Sequence, residues 1–133
     1  MQRMLSILPG ICLLLCACAL IGNEAPLEQR LTGDWITSEQ QAGTGTVTTR
    51  MHIGGDHTFS GSMQVNDSIV WTFAGTWQLS GHDITWHYTD SSLILLEEDR
   101  AELDTIVRLE DSELVLQSGR HDDVRTLART DRH

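Results

Sequence analysis

The histidines are the first residues whose side chains could do chemistry, because imidazole is a common metal ligand and exchanges protons near neutral pH. A zinc site needs several ligands that converge on one point. His82 and His87 lie five positions apart, so on one continuous strand they point to opposite faces. No other histidine pair has ligand spacing on one strand face. We therefore expect surface or turn histidines, with no metal site and no cofactor.

Acidic side chains cluster in one stretch, which contains three consecutive acids at residues 97–99, then Glu102 and Asp104. The stretch lacks the Asp-x-Asp-x-Asp-Gly order of a calcium loop. A solvated charged turn is the preferred interpretation, and weak, non-specific cation binding is the alternative. The acidic pair at residues 122–123 is interpreted in the same way.

Nucleophilic chemistry has little support in this sequence. Ser60, Ser62 and Ser80 do not lie in a recognisable nucleophile elbow, and no base can be placed beside them. All nine basic residues are arginines, so no lysine is present for Schiff-base or Walker-type chemistry. We assign no catalytic residue and expect that the protein is not an enzyme.

The balance of charge narrows the class of partner. The chain has 133 residues with a formal net charge of −10. This length is typical of one domain. Nucleic-acid binding rests on Lys and Arg that neutralise phosphates, so a chain this acidic is not expected to bind nucleic acid.

The three cysteines all lie near the N-terminus, at Cys12, Cys16 and Cys18. A basic start, a short apolar run and a small residue before a cleavage site are the parts of an export signal. The sequence Leu-Cys-Ala-Cys at residues 15–18 resembles a bacterial lipobox, in which the cysteine after the cut is acylated. Only Cys18 follows a small residue, Ala17, so Cys18 is the expected lipidation site.

The lipobox resemblance divides the chain into three parts. Residues 1–17 are the expected lipoprotein signal peptide, residues 18–30 the lipidated cysteine with a tether, and residues 31–130 the folded domain. The alternatives are an uncleaved anchor at residues 4–21 and an ordinary signal peptide. Because Ala19 is not the aspartate of an inner-membrane retention signal, we expect the outer membrane, on the periplasmic side of a bacterial envelope.

Period-two alternation of apolar and polar residues predicts β-structure throughout the folded domain. The clearest segment, residues 69–79, places Ile69, Trp71, Phe73, Gly75, Trp77 and Leu79 on one face. Residues 91–98 differ because four consecutive apolar residues make both faces apolar, and a strand buried on both sides is the expected explanation. The predicted strands are residues 31–37, 46–53, 57–65, 69–79, 83–88, 91–98, 102–110, 113–117 and 123–129.

Short strands joined by tight turns favour an all-β fold, an up-and-down antiparallel β-barrel of about eight strands. Such a barrel encloses either packed side chains or one small ligand. On the segment at residues 102–110, one face is expected to carry Leu103, Thr105, Val107 and Leu109. The whole inward set is Val47, Met51, Phe59, Met63, Trp71, Phe73, Trp77, Trp86, Tyr88, Val107 and Leu116.

Three short motifs in order resemble bacterial lipocalin-like lipoproteins. They are Leu-Thr-Gly-Asp-Trp at residues 31–35, Gly-Thr-Trp-Gln-Leu with the following hairpin at residues 75–85, and Leu-Ala-Arg at residues 127–129. Gly33 is expected to let the chain bend at the barrel floor and Trp35 to plug it. Arg129, on the last strand, is expected to stack on the Trp35 indole.

Two functions follow as hypotheses. In the first, the lipocalin-like barrel binds a small hydrophobic ligand. In the second, an acidic inhibitor or immunity-type protein binds a basic protein partner through the barrel surface, with steering that weakens in salt. Families of the second kind usually carry a cysteine pair in the barrel, and this chain has none past Cys18. The ligand-lining residues of the first are Phe59, Met63, Trp71, Phe73, Trp77, Trp86 and Tyr88.

Overall fold

Eight antiparallel strands follow one another along residues 25–130, the part of the chain that this computed structural model describes. The predicted signal peptide at residues 1–17 and the predicted lipidation site Cys18 lie outside the described residues. The strands are β1 (Gly33–Gln41), β2 (Gly45–Ile53), β3 (Thr58–Val65), β4 (Ser68–Ser80), β5 (Asp83–Ser91), β6 (Ala101–Leu109), β7 (Glu113–Ser118) and β8 (Val124–Arg129).

Each strand pairs with the next along the chain, and β8 pairs back with β1 to close a barrel. The closing pairs are Trp35 with Arg129 and Ile36 with Ala128. Closure satisfies the backbone groups that an open sheet would leave at its edges. The predicted up-and-down antiparallel barrel of about eight strands is confirmed.

Within residues 25–130, two short helical segments accompany the barrel. Helix α1 (Leu27–Leu31) precedes β1, and a 3-10 helix (Glu97–Asp99) lies between β5 and β6. The sequence predicts a tether up to residue 30 and a first strand that begins at Leu31. Leu31 instead ends α1 with its side chain fully buried, since a helix this short depends on such packing. No helix among residues 25–130 is long and apolar enough to span a membrane.

The antiparallel order gives the barrel two different ends. We call the end that carries α1 and the turns at residues 54–57, 81–82 and 110–112 the floor. The opposite end, which carries the connections at residues 42–44, 66–67, 92–100 and 119–123, is the mouth. Trp35 closes the floor, and its indole Nε1 donates a hydrogen bond of 2.9 Å to the Leu31 carbonyl oxygen.

The predicted two-sided strand at residues 91–98 is wrong. Strand β5 ends at Ser91, and residues 92–96 run outside the sheet with Leu93 at 52% and Ile94 at 99% exposure. The Ser92 N–H still donates to the Thr72 carbonyl oxygen, whereas the Ser92 hydroxyl accepts the Thr72 N–H and the Ser91 hydroxyl accepts the Leu93 N–H. A barrel that closes with eight strands has no free edge for a ninth.

Two β-bulges place side chains on the face of the barrel wall opposite to the predicted one. On β6, the pairing shifts between Ile106 and Arg108, and Asp104 and Ile106 point inward while Leu103 and Val107 are exposed. The predicted inward position of Val107 is therefore wrong. On β4, the pairing with β3 skips a residue, which turns Ile69 outward to 60% exposure. A bulge inserts one residue and so moves a strand's side chains beyond it to the opposite face.

Candidate ligand-binding site at the barrel mouth

A cavity of about 230 Å³ opens at the mouth of the barrel, above a packed lower half. One side of its wall is aromatic and the other carries charged side chains. Its lining residues are Thr49, Met51, Met63, Trp71, Phe73, Tyr88, Glu102, Asp104, Ser118, His121, Asp123 and Arg125.

The aromatic side of the cavity is a cluster of three mutually packed rings. The Trp71 and Phe73 ring centroids lie 4.5 Å apart, and Tyr88 lies 5.7 Å from Trp71 and 5.8 Å from Phe73. The Trp71 indole Nε1 donates a 2.8 Å hydrogen bond to the Ser91 hydroxyl, which holds the ring against the wall. Rings that pack on one another, one of them fixed by a hydrogen bond from its indole N–H, form a rigid apolar surface.

The charged side is organised by Asp104, which is only 2% exposed. Its Oδ2 accepts 2.8 Å hydrogen bonds from Arg125 Nη2 and from Trp86 Nε1. A buried carboxylate needs such partners, because removing it from water is costly unless its charge is paired. The Nε of Arg125 is itself buried and has no hydrogen-bond partner among residues 25–130.

Glu102 lies beside this pair without an ion-pair partner among residues 25–130. Partial desolvation raises the pKa of the Glu102 carboxyl, and the nearby Asp104 charge raises it further, while Arg125 opposes both effects. The Glu102 side chain is nevertheless exposed to solvent. Water therefore screens its charge, and the raised pKa has only a small effect on stability. Burial also raises the pKa of the Tyr88 hydroxyl, which therefore stays neutral.

The structure divides the seven predicted ligand-lining residues into two groups. Met63, Trp71, Phe73 and Tyr88 line the mouth cavity. The other three do not line it and pack in the core with at most 2% exposure: Phe59, Trp77 and Trp86.

Specific contacts hold those three rings in the core. Phe59 and Trp86 meet edge to face at a centroid distance of 5.0 Å. The Trp77 Nε1 donates to the Gly54 carbonyl oxygen, and His57 stacks on its ring at 4.8 Å. The lower half of a barrel this narrow is filled by its own large side chains.

Sequence reasoning missed the charged side of the cavity. The interpretation of Glu102 and Asp104 as parts of a solvated turn is wrong for Asp104, which is buried. One signal was present: Asp104 lies two residues before Ile106, and Arg125 lies two residues before Leu127. Each charged residue therefore shares the inward face of a buried aliphatic one.

At the floor, Arg129 lies over the Trp35 ring, with its Cζ 4.2 Å from the ring centroid. Its guanidinium donates hydrogen bonds of 2.7 Å to the carbonyl oxygen of Thr32 and 2.6 Å to that of Arg30. Gly33 has a φ of 134°, a backbone conformation that favours glycine, where the chain turns from α1 into β1. These contacts are structural and lie far from the mouth.

Comparison with known proteins identifies the fold. No protein-family model matches the sequence, and no curated protein matches it. Among solved structures, a protein from Bacteroides uniformis ATCC 8492 determined by NMR is 18% identical, with a TM-score of 0.58 over 79% of this chain and 93% of that one. A crystal structure of a lipocalin-like protein from the same organism is 17% identical, with a TM-score of 0.52 over 76% of this chain and 99% of that one. The chain therefore has a lipocalin-like fold, a closed barrel of eight antiparallel strands.

Proposed function

We propose that this lipocalin-like barrel binds one small, largely apolar molecule in its mouth cavity. The observation that carries the proposal is the open space of about 230 Å³ against the Trp71, Phe73 and Tyr88 rings. Barrels of eight strands commonly have room for one small ligand. Aromatic and aliphatic walls with a few polar groups are typical of ligand pockets.

The cavity volume limits the ligand to a small molecule. Ligand pockets for drug-sized molecules commonly measure about 300–1,000 Å³, which is larger than the about 230 Å³ observed here. The space equals roughly eight water molecules at about 30 Å³ each. A ligand with one ring and a short chain fits this volume better than a long-chain lipid.

Isothermal titration with 4-phenylbutanol, a neutral ring with a short chain, tests the proposal. We expect saturable binding to the parent protein and a loss of at least about tenfold in affinity for Trp71→Ala, because the largest side chain of the aromatic wall is removed. Val107→Ala is the matched control, since Val107 is 56% exposed on the outside of the barrel. Absence of saturable binding, or equal binding by Trp71→Ala and the parent, would contradict the proposal.

We also propose that the mature protein is held at the outer membrane, facing the periplasm, by acylation of Cys18. The support is the sequence at residues 15–18, where only Cys18 follows a small residue. Acyl chains contribute about 0.8 kcal/mol per buried methylene, so a diacylated cysteine holds a protein firmly on a bilayer. Labelling with a palmitate analogue in a Gram-negative host should be lost in Cys18→Ala and retained in Cys16→Ala. Labelling of both variants would refute the assignment.

A basic protein partner is a second proposed function, supported by the formal net charge of −10. Exposed acids surround the mouth, among them Glu97, Glu98, Asp122 and Asp123. Attraction between opposite surface charges speeds association and weakens as salt screens it. Capture of a defined basic protein such as lysozyme at low salt, with release at about 0.5 M salt, would support this function. Salt-insensitive capture would oppose it.

A further inference from the structure

We propose that the mouth cavity selects an organic cation, a primary amine on a small aromatic or aliphatic body, over neutral or anionic molecules of the same shape. This inference rests on the proposed ligand-binding function and names the chemical class of ligand. It follows from the charged groups that line the cavity and from the rings that face them.

The charged groups of the lining favour a cation. Three carboxylates, those of Glu102, Asp104 and Asp123, share the wall with the single guanidinium of Arg125. His121 is the remaining titratable base of the wall and lies exposed at the rim. An excess of one sign of charge in a cleft with low-dielectric walls concentrates ions of the opposite sign.

Arg125 is already paired with a carboxylate of the protein. Its Nη2 is bound to Asp104 at 2.8 Å. Its Nε is buried, so a molecule in the cavity cannot reach that atom without rearrangement. A ligand carboxylate would therefore share the guanidinium with Asp104, and it would also meet the charges of Glu102 and Asp123.

Glu102 is the group that a ligand ammonium would pair with. Asp104 already has Arg125 and Trp86 as partners, whereas Glu102 has no ion-pair partner among the described residues. Desolvation and the charge of Asp104 raise its pKa, and a cation beside its carboxylate opposes both effects by favouring the ionised form.

The aromatic side of the cavity strengthens the same preference. Trp71 and Tyr88 lie 5.7 Å apart by ring centroid and line the cavity with Glu102. The face of an aromatic ring attracts ammonium groups through its quadrupole, and Trp is the strongest of the aromatic residues in this respect. A ring-bearing amine can therefore place its apolar body against the rings and its ammonium between the rings and Glu102.

Three ligands with one apolar body test the inference: 4-phenylbutylamine, 4-phenylbutanol and 4-phenylbutyrate. We expect the amine to bind the full-length parent at least about tenfold more tightly than the alcohol, as an interaction of about 1.4 kcal/mol gives. We expect the butyrate to bind most weakly. Glu102→Gln should remove most of the amine's advantage, because it should weaken binding of the amine far more than binding of the alcohol. Glu98→Gln, an exposed rim substitution, is the matched control.

The outcomes separate this inference from the proposed function. If the alcohol binds as tightly as the amine, or the butyrate binds tightest, the cation preference is refuted while ligand binding stands. If none of the three binds the parent at millimolar concentration, both proposals fail. An equal loss of amine affinity in Glu102→Gln and Glu98→Gln would refute the role of Glu102 and leave only a general effect of surface charge. Because the three-ligand comparison uses the parent protein, it does not depend on how the variants fold.

Discussion

Replacing Arg125 with methionine leaves the carboxylate of Asp104 buried without its ion pair. Asp104 is 2% exposed, while the Arg125 side chain is 32% exposed. Removing one partner of a fully buried pair costs about 3–5 kcal/mol. The Trp86 Nε1 still donates to the same carboxylate oxygen, and water can reach the vacated arginine position. We therefore expect a loss of about 2–3 kcal/mol in the free energy of unfolding at neutral pH.

Urea denaturation followed by tryptophan fluorescence measures this loss. A cost of 2–3 kcal/mol corresponds to a fall of about 10 °C in the melting temperature of a domain of this size. Arg108→Met is the matched control, because Arg108 pairs with Glu113 at the surface with 56% of its side chain exposed. Exposed pairs contribute about 0–1 kcal/mol, so the control should lose little stability.

A second variant tests the cause of the loss. In Arg125→Met with Asp104→Leu, no buried charge remains, and we expect recovery of at least about half of the lost stability. The reasoning is refuted if Arg125→Met costs no more than Arg108→Met. It is also refuted if the double variant is no more stable than Arg125→Met alone, because the cost would then come from lost packing.

Three further substitutions test other parts of the structure. Arg129→Ala removes the contact with Trp35 and the guanidinium hydrogen bonds at the floor. We expect the free energy of unfolding, measured in urea, to fall by about 2–3 kcal/mol. An unchanged urea midpoint would contradict a stabilising role of Arg129 at the floor. Gly75→Ala places a Cβ against the His87 carbonyl oxygen, so we expect a loss of more than about 3 kcal/mol or insoluble protein, checked by expression and circular dichroism. Because the pKa of Glu102 is raised in the fold, its ionised form is the destabilised one. Glu102→Gln should therefore raise the melting temperature slightly at pH 7, and this gain should vanish as the pH falls through that pKa. A gain that is equal at both ends of the pH range would refute the assignment.

The alternation of apolar and polar residues was sufficient to predict the strands of the barrel wherever that alternation was unbroken. On β4, Phe73 and Trp77 face the core as predicted, and the predicted strand at residues 46–53 differs from β2 by one residue. The pattern failed at residues 91–98, where four apolar residues predict a strand but no partner strand is free. A run of apolar residues indicates that a segment can be buried. Whether it becomes a strand depends on whether the completed sheet leaves an unpaired edge beside it.

The sequence by itself determined an all-β chain, the order of its strands, its acidity and the cysteine that we expect to be acylated. It did so because side-chain period, turn residues and charge are local properties. The tertiary structure alone decided which rings fill the core and which line the cavity. It also brought Asp104 and Arg125 together across 21 positions of sequence, from strands that are not neighbours in the sheet. The two side chains meet across β7 on the inner face of the barrel, and sequence patterns that act between near neighbours do not show such a contact.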